Sequence, residues 1–511
     1  MTTRAEQAAA LINTRSLPVG LGWLQDKAAE AHAYDVLNPY PLFHFKEWKT
    51  EDRGPLPRCM PLAKSIIARG AKWLFGQPLQ IHCAENPDLE EFLRKMWRKN
   101  KMGARLVAMA RQGGCDGGIA LKFSYDETAR IPLSIQSLSL VDEVRLYYDP
   151  HNCADLLMAR IQYSYFDAVA GKTMWYREEW TDDEEIHYFP LPQESLNTSL
   201  GSTRLYMSYN RTDPDTYEGW KISSRAANPF GVIPLTHIKN VETDDLYGAG
   251  DLWDLYRVLD RINLTYHLMD KSNQFDAESN PIFIDLDLDE DDIDKPLQPG
   301  QPIDAHSAEG EKQGKVEFPP TGNGLRPAMM EYAKDLKKQI LAAASSVEVD
   351  QSEFSNKGNL TNAVLAQLYL PQIELTEEKR KSWGEDGLCE FLALVARGLQ
   401  NVGVDLGVRE DDEDSYDVTL AWPPYFQMSQ DELTALTGRT QEQEIAGYIT
   451  HERAIERVAQ AEGIEDVTAL IEELKTEPPP PAATPTAADA SLQQTEQEIA
   501  GLKGAAGKSG V

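Results

Sequence analysis

The stretch from Asp251 to Ala277, DLWDLYRVLDRINLTYHLMDKSNQFDA, constrains this chain more than any other. Leu252, Leu255, Leu259, Ile262, Tyr266 and Met269 recur at spacings of three and four, with no Gly or Pro until Pro281. A stripe of that period is the seam of a helix. A helix of about 27 residues reaches about 40 Å, well past the usual length in a globular domain. Such a rod needs something to cover its seam. Further on, RPAMMEYAKDLKKQILAAASS places Pro327 near a first helical position and offers Met329, Ala333, Leu336, Ile340 and Ala343 at matching spacing. The two patterns, 248–277 and 326–345, read as a helical hairpin paired along the seam Leu252, Leu255, Leu259, Ile262, Tyr266, Met269, Met329, Leu336 and Ile340. Between them, 278–325 contains PIFIDLDLDEDDID, PLQPGQPID and GKVEFPP, the marks of a small α/β unit of short strands and turns at the far end of the hairpin.

Charge narrows what that hairpin can meet. The 511 residues carry a formal net charge of -32, whereas a protein that grips nucleic acid needs clustered Lys and Arg to displace counterions from phosphates. Any dealing with DNA is therefore expected to be non-adhesive. The five cysteines are scattered without a CxxC pair, so neither a disulfide framework nor a thiolate zinc site is expected. No apolar run is long enough to span a bilayer and MTTRAEQAAALINTRS lacks the apolar centre of a secretory signal, so a reducing, cytosol-like setting without membrane is expected.

The rest of the chain divides by pattern. Residues 1–60 are weakly patterned and read as an arm wrapping over other elements. Over 61–247 the chain reads as α+β with an antiparallel sheet. PLAKSIIARGAKWLFG is a helix with Leu62, Ile66, Trp73 and Leu74 on its apolar face, followed by the strand LQIHC. Asn86 caps a helix with Pro87 in first position, early Asp88, Glu90 and Glu91, and a stripe of Leu89, Phe92, Leu93, Met96 and Trp97. IALKFSY places Ile119, Leu121, Phe123 and Tyr125 on one face, ARIQYSYFD does the same with Ile161, Tyr163 and Tyr165, and EVRLYYD, KTMWYREEW, EIHYF and RLYMSY are further strands. After a polar loop at 346–359, residues 360–428 hold a long helix bent at Pro371 and interrupted by Gly384 and Gly387, then the strand YDVTLAWPP. Short helices follow over 429–475, and 476–511, with TEPPPPAATPTAADASLQQ, is expected to be disordered.

Motifs of catalysis are weak. Asp285, Asp287 and Asp289 match the first ligands of a calcium loop, but Glu290 stands where the turn glycine belongs and Pro296 where the last bidentate Glu belongs. On a strand the three aspartates share a face, which favours an acidic surface turned to solvent or a partner over a metal site; Asp291 and Asp292 extend it. GGCDGG at 113–118 follows a helix and precedes a strand, the reverse of a phosphate loop, and reads as a helix stop. GKSG at 507–510 lacks the leading Walker glycine, since position 502 is Leu. Neither GxSxG nor HExxH occurs, and His267 and His451 read as structural. The chain is expected not to be an enzyme and to carry no cofactor; the alternatives are a carboxylate-rich metal-dependent hydrolase and an adaptor or scaffold that forms no ring.

The order of these elements resembles the portal (head-to-tail connector) proteins of tailed double-stranded-DNA bacteriophages. An α+β region leads through NPFGVIPLTHIKN into a long helix with Asp260, Asn263 and Asp270, then a small inserted unit, a second helix, a polar loop and a long kinked helix. KSIIARGAKWLFGQPLQIHC points to one branch of that family, and the similarity covers roughly 40–475. The resemblance implies a ring, usually of twelve copies, at one capsid vertex of the virion, assembled in the host cytoplasm. It implies a wing over 61–247, a stem of the two helices, a clip over 278–325, a tunnel loop over 346–359 containing SVEVDQSEFSNKGN, a kinked wing helix and strand over 360–428, and a helical crown over 429–475. It also implies a channel for packaging and ejecting DNA, and contacts with the terminase large subunit, a head–tail adaptor, and the major capsid and scaffolding proteins. Lys357 in the loop and Lys334, Lys337 and Lys338 on the second stem helix are candidates for sparse phosphate contacts; Asp285, Asp287, Asp289, Asp291 and Asp292 are candidates for partner docking.

Overall fold

The computed structural model describes residues 3–36, 59–84, 86–196, 214–215, 217–277, 282–284, 286–288, 305–307, 315–317, 325–348, 362–409, 412–426, 430–462, 470–471 and 474. The chain forms two compact units, Met1–Trp422 and Pro423–Val511. The first opens with α1 (Arg4–Leu11), α2 (Leu21–Asp35), α3 (Leu62–Phe75), β1 (Gln80–His82), α4 (Pro87–Lys99) and α5 (Met102–Asp116). Strands follow: β2 (Gly118–Tyr125), β3 (Leu133–Ser139), β4 (Val144–Asp149), β5 (Asn152–Asp167), β6 (Lys172–Trp180), β7 (Glu184–Tyr188), β8 (Leu191–Pro192), β9 (Ile222–Ala227) and β10 (Leu235–Lys239). Then come α6 (Tyr256–Ala277), the short strands β11 (Ile282–Ile284), β12 (Leu286–Leu288), β13 (Ala305–Ser307) and β14 (Lys315–Glu317), and α7 (Leu325–Ala343). A broken helix comprises α8 (Asn362–Leu368), α9 (Leu370–Arg380), a π-helix (Lys381–Cys389) and α10 (Glu390–Asn401), and β15 (Thr419–Ala421) closes the unit. The second unit holds α11 (Gln430–Ile445) and α12 (His451–Glu462).

All strand pairs among the described residues are antiparallel. One sheet has the order β10-β2-β3; the other runs β4-β5-β6-β7-β9 with β8 beside β6; β1 pairs with β15. Alternation on β2 is weaker than its sequence suggests, because Gly118–Phe123 are buried on both faces. Phe123 packs on Phe230 and Phe391, at ring distances of 4.9 and 6.2 Å. Lys122, on the other face, pairs with Glu178 of β6 and lies 5.0 Å over the Trp180 ring, so the second sheet covers what would otherwise be a solvent face. Strands β3, β9 and β10 were not evident in the sequence. β9 is exposed along its whole length and carries no alternating apolar pattern, and β10 is hidden within GVIPLTHIKN. RLYMSY lies outside the described residues.

The N-terminal region is not merely an overlying arm. In α2, Leu21, Leu24, Ala28, Ala31 and Tyr34 are fully buried in the main core, and the Tyr34 hydroxyl donates to Asp260 of α6. The segment before α2 is stitched to the second sheet by a buried charge network. Arg160 donates to Glu179 (2.8 Å), to Asp215 (3.4 Å) and to the Thr14 carbonyl (2.7 Å), while the Asn13 backbone N–H donates to Glu179 (2.9 Å). Arg145 and Arg177 complete it through Asp215 (2.8 Å) and Glu179 (2.6 Å). With both arginine sides in place, the Glu179 carboxyl is held below its usual range despite burial.

Helix α4 is capped as its sequence requires: the Asn86 side chain accepts from the Leu89 N–H at 3.1 Å and Pro87 occupies the first turn. The face of α3 is turned from the expected one. Ile66, Ile67, Gly70, Ala71 and Leu74 are buried while Leu62 and Trp73 are only half-buried, and a Cβ on Gly70 would lie 3.3 Å from the Asp251 carboxylate. Pro371 sits in the first turn of α9, where its missing N–H is harmless, and the helix breaks before it. Beyond Arg380 the helix widens to π geometry, which lets three consecutive residues, Ser382, Trp383 and Gly384, face inward. Gly387 is required there, since a Cβ would lie 2.8 Å from the Ile238 side chain. GGCDGG does close α5: the helix runs to Asp116, and Gly117 at φ +83° is its left-handed cap.

Candidate functional site

Helices α6 and α7 form the hairpin. Arg261 Nε donates to the Tyr332 hydroxyl (3.4 Å) and Arg326 to the Ser272 carbonyl (3.5 Å), so numbering rises along one helix as it falls along the other. The 22 and 19 residues give rods of about 33 and 28 Å. Between them β11 pairs with β14 and β12 with β13, two nested ladders in which Asp287 stands opposite His306. Asp285, Asp289, Asp291, Asp292 and Lys357 lie outside the described residues, as do 349–359 of the loop and 476–511.

The first helix begins later than its heptads suggest. Residues 251–255 are turn, and α6 starts at Tyr256. Asp251 sets this: its backbone N–H donates to the Gly114 carbonyl (2.8 Å), and its side chain accepts from Asn240 (2.8 Å) and from Lys379 of α9 (2.5 Å). The Asp251 and Lys379 side chains are 7% and 3% exposed, and a Cβ on Gly114 would lie 2.8 Å from the Asp251 carboxylate. The chain is thus anchored at Asp251 and turns there before α6 begins. Asn263 ties α6 to the N-terminal region by accepting from the Met60 N–H (2.9 Å), and Arg69 of α3 holds Ser346, just past α7, at 2.6 Å.

Along the seam, burial declines from root to tip. Leu252, Leu255, Leu259 and Ile262 belong to the core of the unit, as do Leu336 and Ile340. Tyr266, Met269 and Met329 are half-buried. Leu268, Met330 and Tyr332 are 46%, 50% and 44% exposed. The root of the seam is thus covered from within this chain, and exposed apolar side chains remain farther out. Of the lysines on α7, Lys334 and Lys338 are exposed, four residues apart on one face, and neither makes an ion pair with a described residue. Lys337 pairs with Glu348 at 2.7 Å.

The described residues offer little reactive chemistry. Burial pushes the Cys59 and Cys389 thiols up to about 11 and Cys83 to about 12, and lifts Cys115 well above the ordinary thiol value, so none of these four is an activated thiolate. His32 meets Asp116 at 2.5 Å, but Ser139 donates to Asp116 rather than to His32 and also accepts from the Val141 and Asp142 N–H groups, so its hydroxyl caps a turn and is not paired with the imidazole. His267 is buried in α6 with its pKa lowered by burial and by Lys271, and His451 is exposed, 2.6 Å from Glu444. No group of three metal-ligating side chains occurs among the described residues, and no helix among them is long and apolar enough to cross a membrane.

Residues 30–478 match the family described as "Phage portal protein, SPP1 Gp6-like". No curated protein matches the chain in sequence. Solved structures that the chain matches include the virion of a native gene transfer agent particle, with 14% identity, a TM-score of 0.33, and coverage of 78% of this chain and 90% of that chain. The neck of an empty gene transfer agent particle computed with C6 symmetry gives 15%, 0.35, 78% and 90%. The neck of the native particle computed with C12 symmetry gives 12%, 0.34, 78% and 89%.

Proposed function

Because the chain belongs to the SPP1 Gp6-like phage portal protein family, we propose that it assembles as a closed ring of about twelve copies at one capsid vertex of the virion, the ring form being the cyclic symmetry such heads use. The ring is the channel for packaging and ejecting double-stranded DNA. The observation that carries this reading is the family match over 30–478, which takes in the α+β body, the hairpin and the broken helix. In this reading 61–247 are the wing, α6 and α7 the stem, 278–325 the clip, 346–359 the tunnel loop, 360–428 the kinked wing helix and following strand, and 429–475 the crown. Assembly takes place in the host cytoplasm among the major capsid and scaffolding proteins. The clip then meets the terminase large subunit and, after packaging, a head–tail adaptor.

The physics of sliding supports a poorly adhesive pore. Every phosphate neutralised by Lys or Arg adds affinity that would arrest the DNA, and a subunit whose 82 Asp and Glu outnumber its 50 Lys and Arg repels a polyanion overall. Lys334 and Lys338 suit sparse contacts because they are exposed and free of described carboxylates; Lys337 is the weaker candidate, being held by Glu348, and Lys357 completes the set. The aspartates at 285–292 supply docking specificity at the clip. Leu268, Met330 and Tyr332 are the stem surface available to neighbouring subunits.

Electron microscopy and native mass measurement of the purified chain test this directly. A closed ring with a central hole is expected; a single copy at every concentration and salt removes the reading. Replacing Lys334 and Lys338 with Ala is expected to lower DNA packaging or retention with the ring intact, and unchanged packaging removes their role.

A further inference from the structure

Residues 94–105, RKMWRKNKMGAR, hold six cations and no carboxylate within a chain of net charge -32. They form the corner where α4 gives way to α5. Arg94 is engaged by Glu90 (2.9 Å) and the Ile81 carbonyl (3.0 Å), and Arg105 donates to the Ile135 carbonyl (2.8 Å). The other four, Lys95, Arg98, Lys99 and Lys101, are exposed and make no ion pair with a described residue. The adjoining loop before β3 adds exposed Asp126, Glu127 and Arg130, which leave the corner strongly positive.

The other end of the same helix is acidic. Asn86 donates through its side-chain amide to the carbonyls of Leu406 (2.8 Å) and Ser415 (3.1 Å), which holds these two residues of the stretch 405–417 against the start of α4. That segment carries seven carboxylates against one base, Arg409. Asp405 and Asp417 are exposed and Asp412 is half-buried, while Asp88 and Glu91 in the first turns of α4 are exposed beside them. The 13 residues of α4 hold the two ends about 20 Å apart. The helix dipole accounts for Asp88, Arg98 and Lys99, which would be placed this way on any surface helix. It does not account for Lys101, beyond the helix, or for the acidic segment, which arrives from some 320 residues further along the chain.

We propose that these two ends are the halves of a head-to-tail contact between copies of this chain, the basic corner of one subunit against the acidic end of the next. A cyclic ring is built from heterologous interfaces, in which two different patches on one subunit must complement each other. Opposite charge at the two ends of one rigid element meets that demand and selects orientation and register. A nucleic acid would also find four cations here, but it would approach against the repulsion of the rest of the subunit and leave the acidic end unmatched. A second copy satisfies both ends at once. This inference rests on the ring assembly proposed above.

The test uses the full chain in two charge-reversed forms, one with Lys95→Glu, Arg98→Glu, Lys99→Glu and Lys101→Glu, the other with Asp405→Lys, Asp412→Lys and Asp417→Lys. Assembly is followed by native mass spectrometry at about 50 mM salt, where exposed charges are least screened. Each form alone is expected to give at least tenfold fewer rings than the unaltered chain. An equimolar mixture is expected to regain them, because every interface then joins an acidic to a basic patch; mixing cannot repair a folding defect. Rings unimpaired by both reversals overturn the contact and leave the ring standing, and so does a loss that mixing fails to restore. Short duplex DNA bound by the unaltered ring and lost in the first form, with assembly untouched, gives the corner to a polyanion instead. An unaltered chain that stays single-copy removes the ring and this contact together.

Discussion

The root and the far part of the helical hairpin share one apolar period but differ in what surrounds it. At the root, Leu252, Leu255, Leu259 and Ile262 lie in the core, and Asp251 is tied to Lys379, Asn240 and the Gly114 carbonyl. Farther out the same stripe becomes half-buried Tyr266 and Met269, flanked by exposed Leu268, Met330 and Tyr332. One helix therefore has two environments: its base is ordered by the core of its own chain, and its outer part leaves apolar area exposed. Periodicity is the same in both, so only burial distinguishes them.

The largest expected effect is at the root. Asp251→Ala leaves Lys379 buried without a counter-charge and should lower stability by about 3–5 kcal/mol, read by urea denaturation; the double replacement Asp251→Asn with Lys379→Met should recover much of that loss. A small loss from the single change would mean that the pair does not organise the root. Next comes a matched truncation: Leu259→Ala should cost about 3 kcal/mol through lost burial and a residual cavity, whereas Met330→Ser should leave unfolding within about 0.5 kcal/mol and instead reduce ring formation. Equal losses at the two sites would erase the distinction between root and tip.

Acid should act through His237 in the body of the first unit. His237 on β10 meets the Tyr148 hydroxyl at 3.2 Å, and burial together with nearby Lys239 lowers its pKa to about 3. Above the ordinary histidine value, near 6.5, folded and unfolded chains are both neutral at this position; as pH falls from there toward about 3 the unfolded chain takes up a proton that the folded chain refuses, so stability is lost in that window. His237→Phe should flatten the decline measured in urea melts between those limits, and an unchanged slope would exclude His237 as a source. The smallest effect belongs to Lys337→Ala, which removes a half-exposed pair with Glu348 and should cost no more than about 0.5 kcal/mol, less at high salt.

Much of the framework is legible residue by residue. Asn86 and Pro87 mark the start of α4, Pro371 the break before α9, and the 3–4 spacing the two hairpin helices. The Leu21, Leu24, Ala28 and Ala31 spacing of α2 was equally available, yet alanines give little contrast with the polar residues between them. Of the candidate site, Lys334 and Lys338 fall on the open face of α7, while Lys337 is occupied by Glu348, which no helical period reveals. The π-helix was not legible either, since Gly384 and Gly387 signal an interruption without saying that the helix widens to admit Trp383.

By itself the sequence determined the elements with a short-range cause: helix faces, caps, proline breaks, the hairpin and the acidic balance of the chain. Tertiary structure decided where α6 begins, which part of its seam is covered, and which charges are silent. The reason is that Asp251 and Lys379 stand 128 residues apart, and a buried carboxylate must find a cation wherever the fold brings one. Local periodicity carries no record of that meeting.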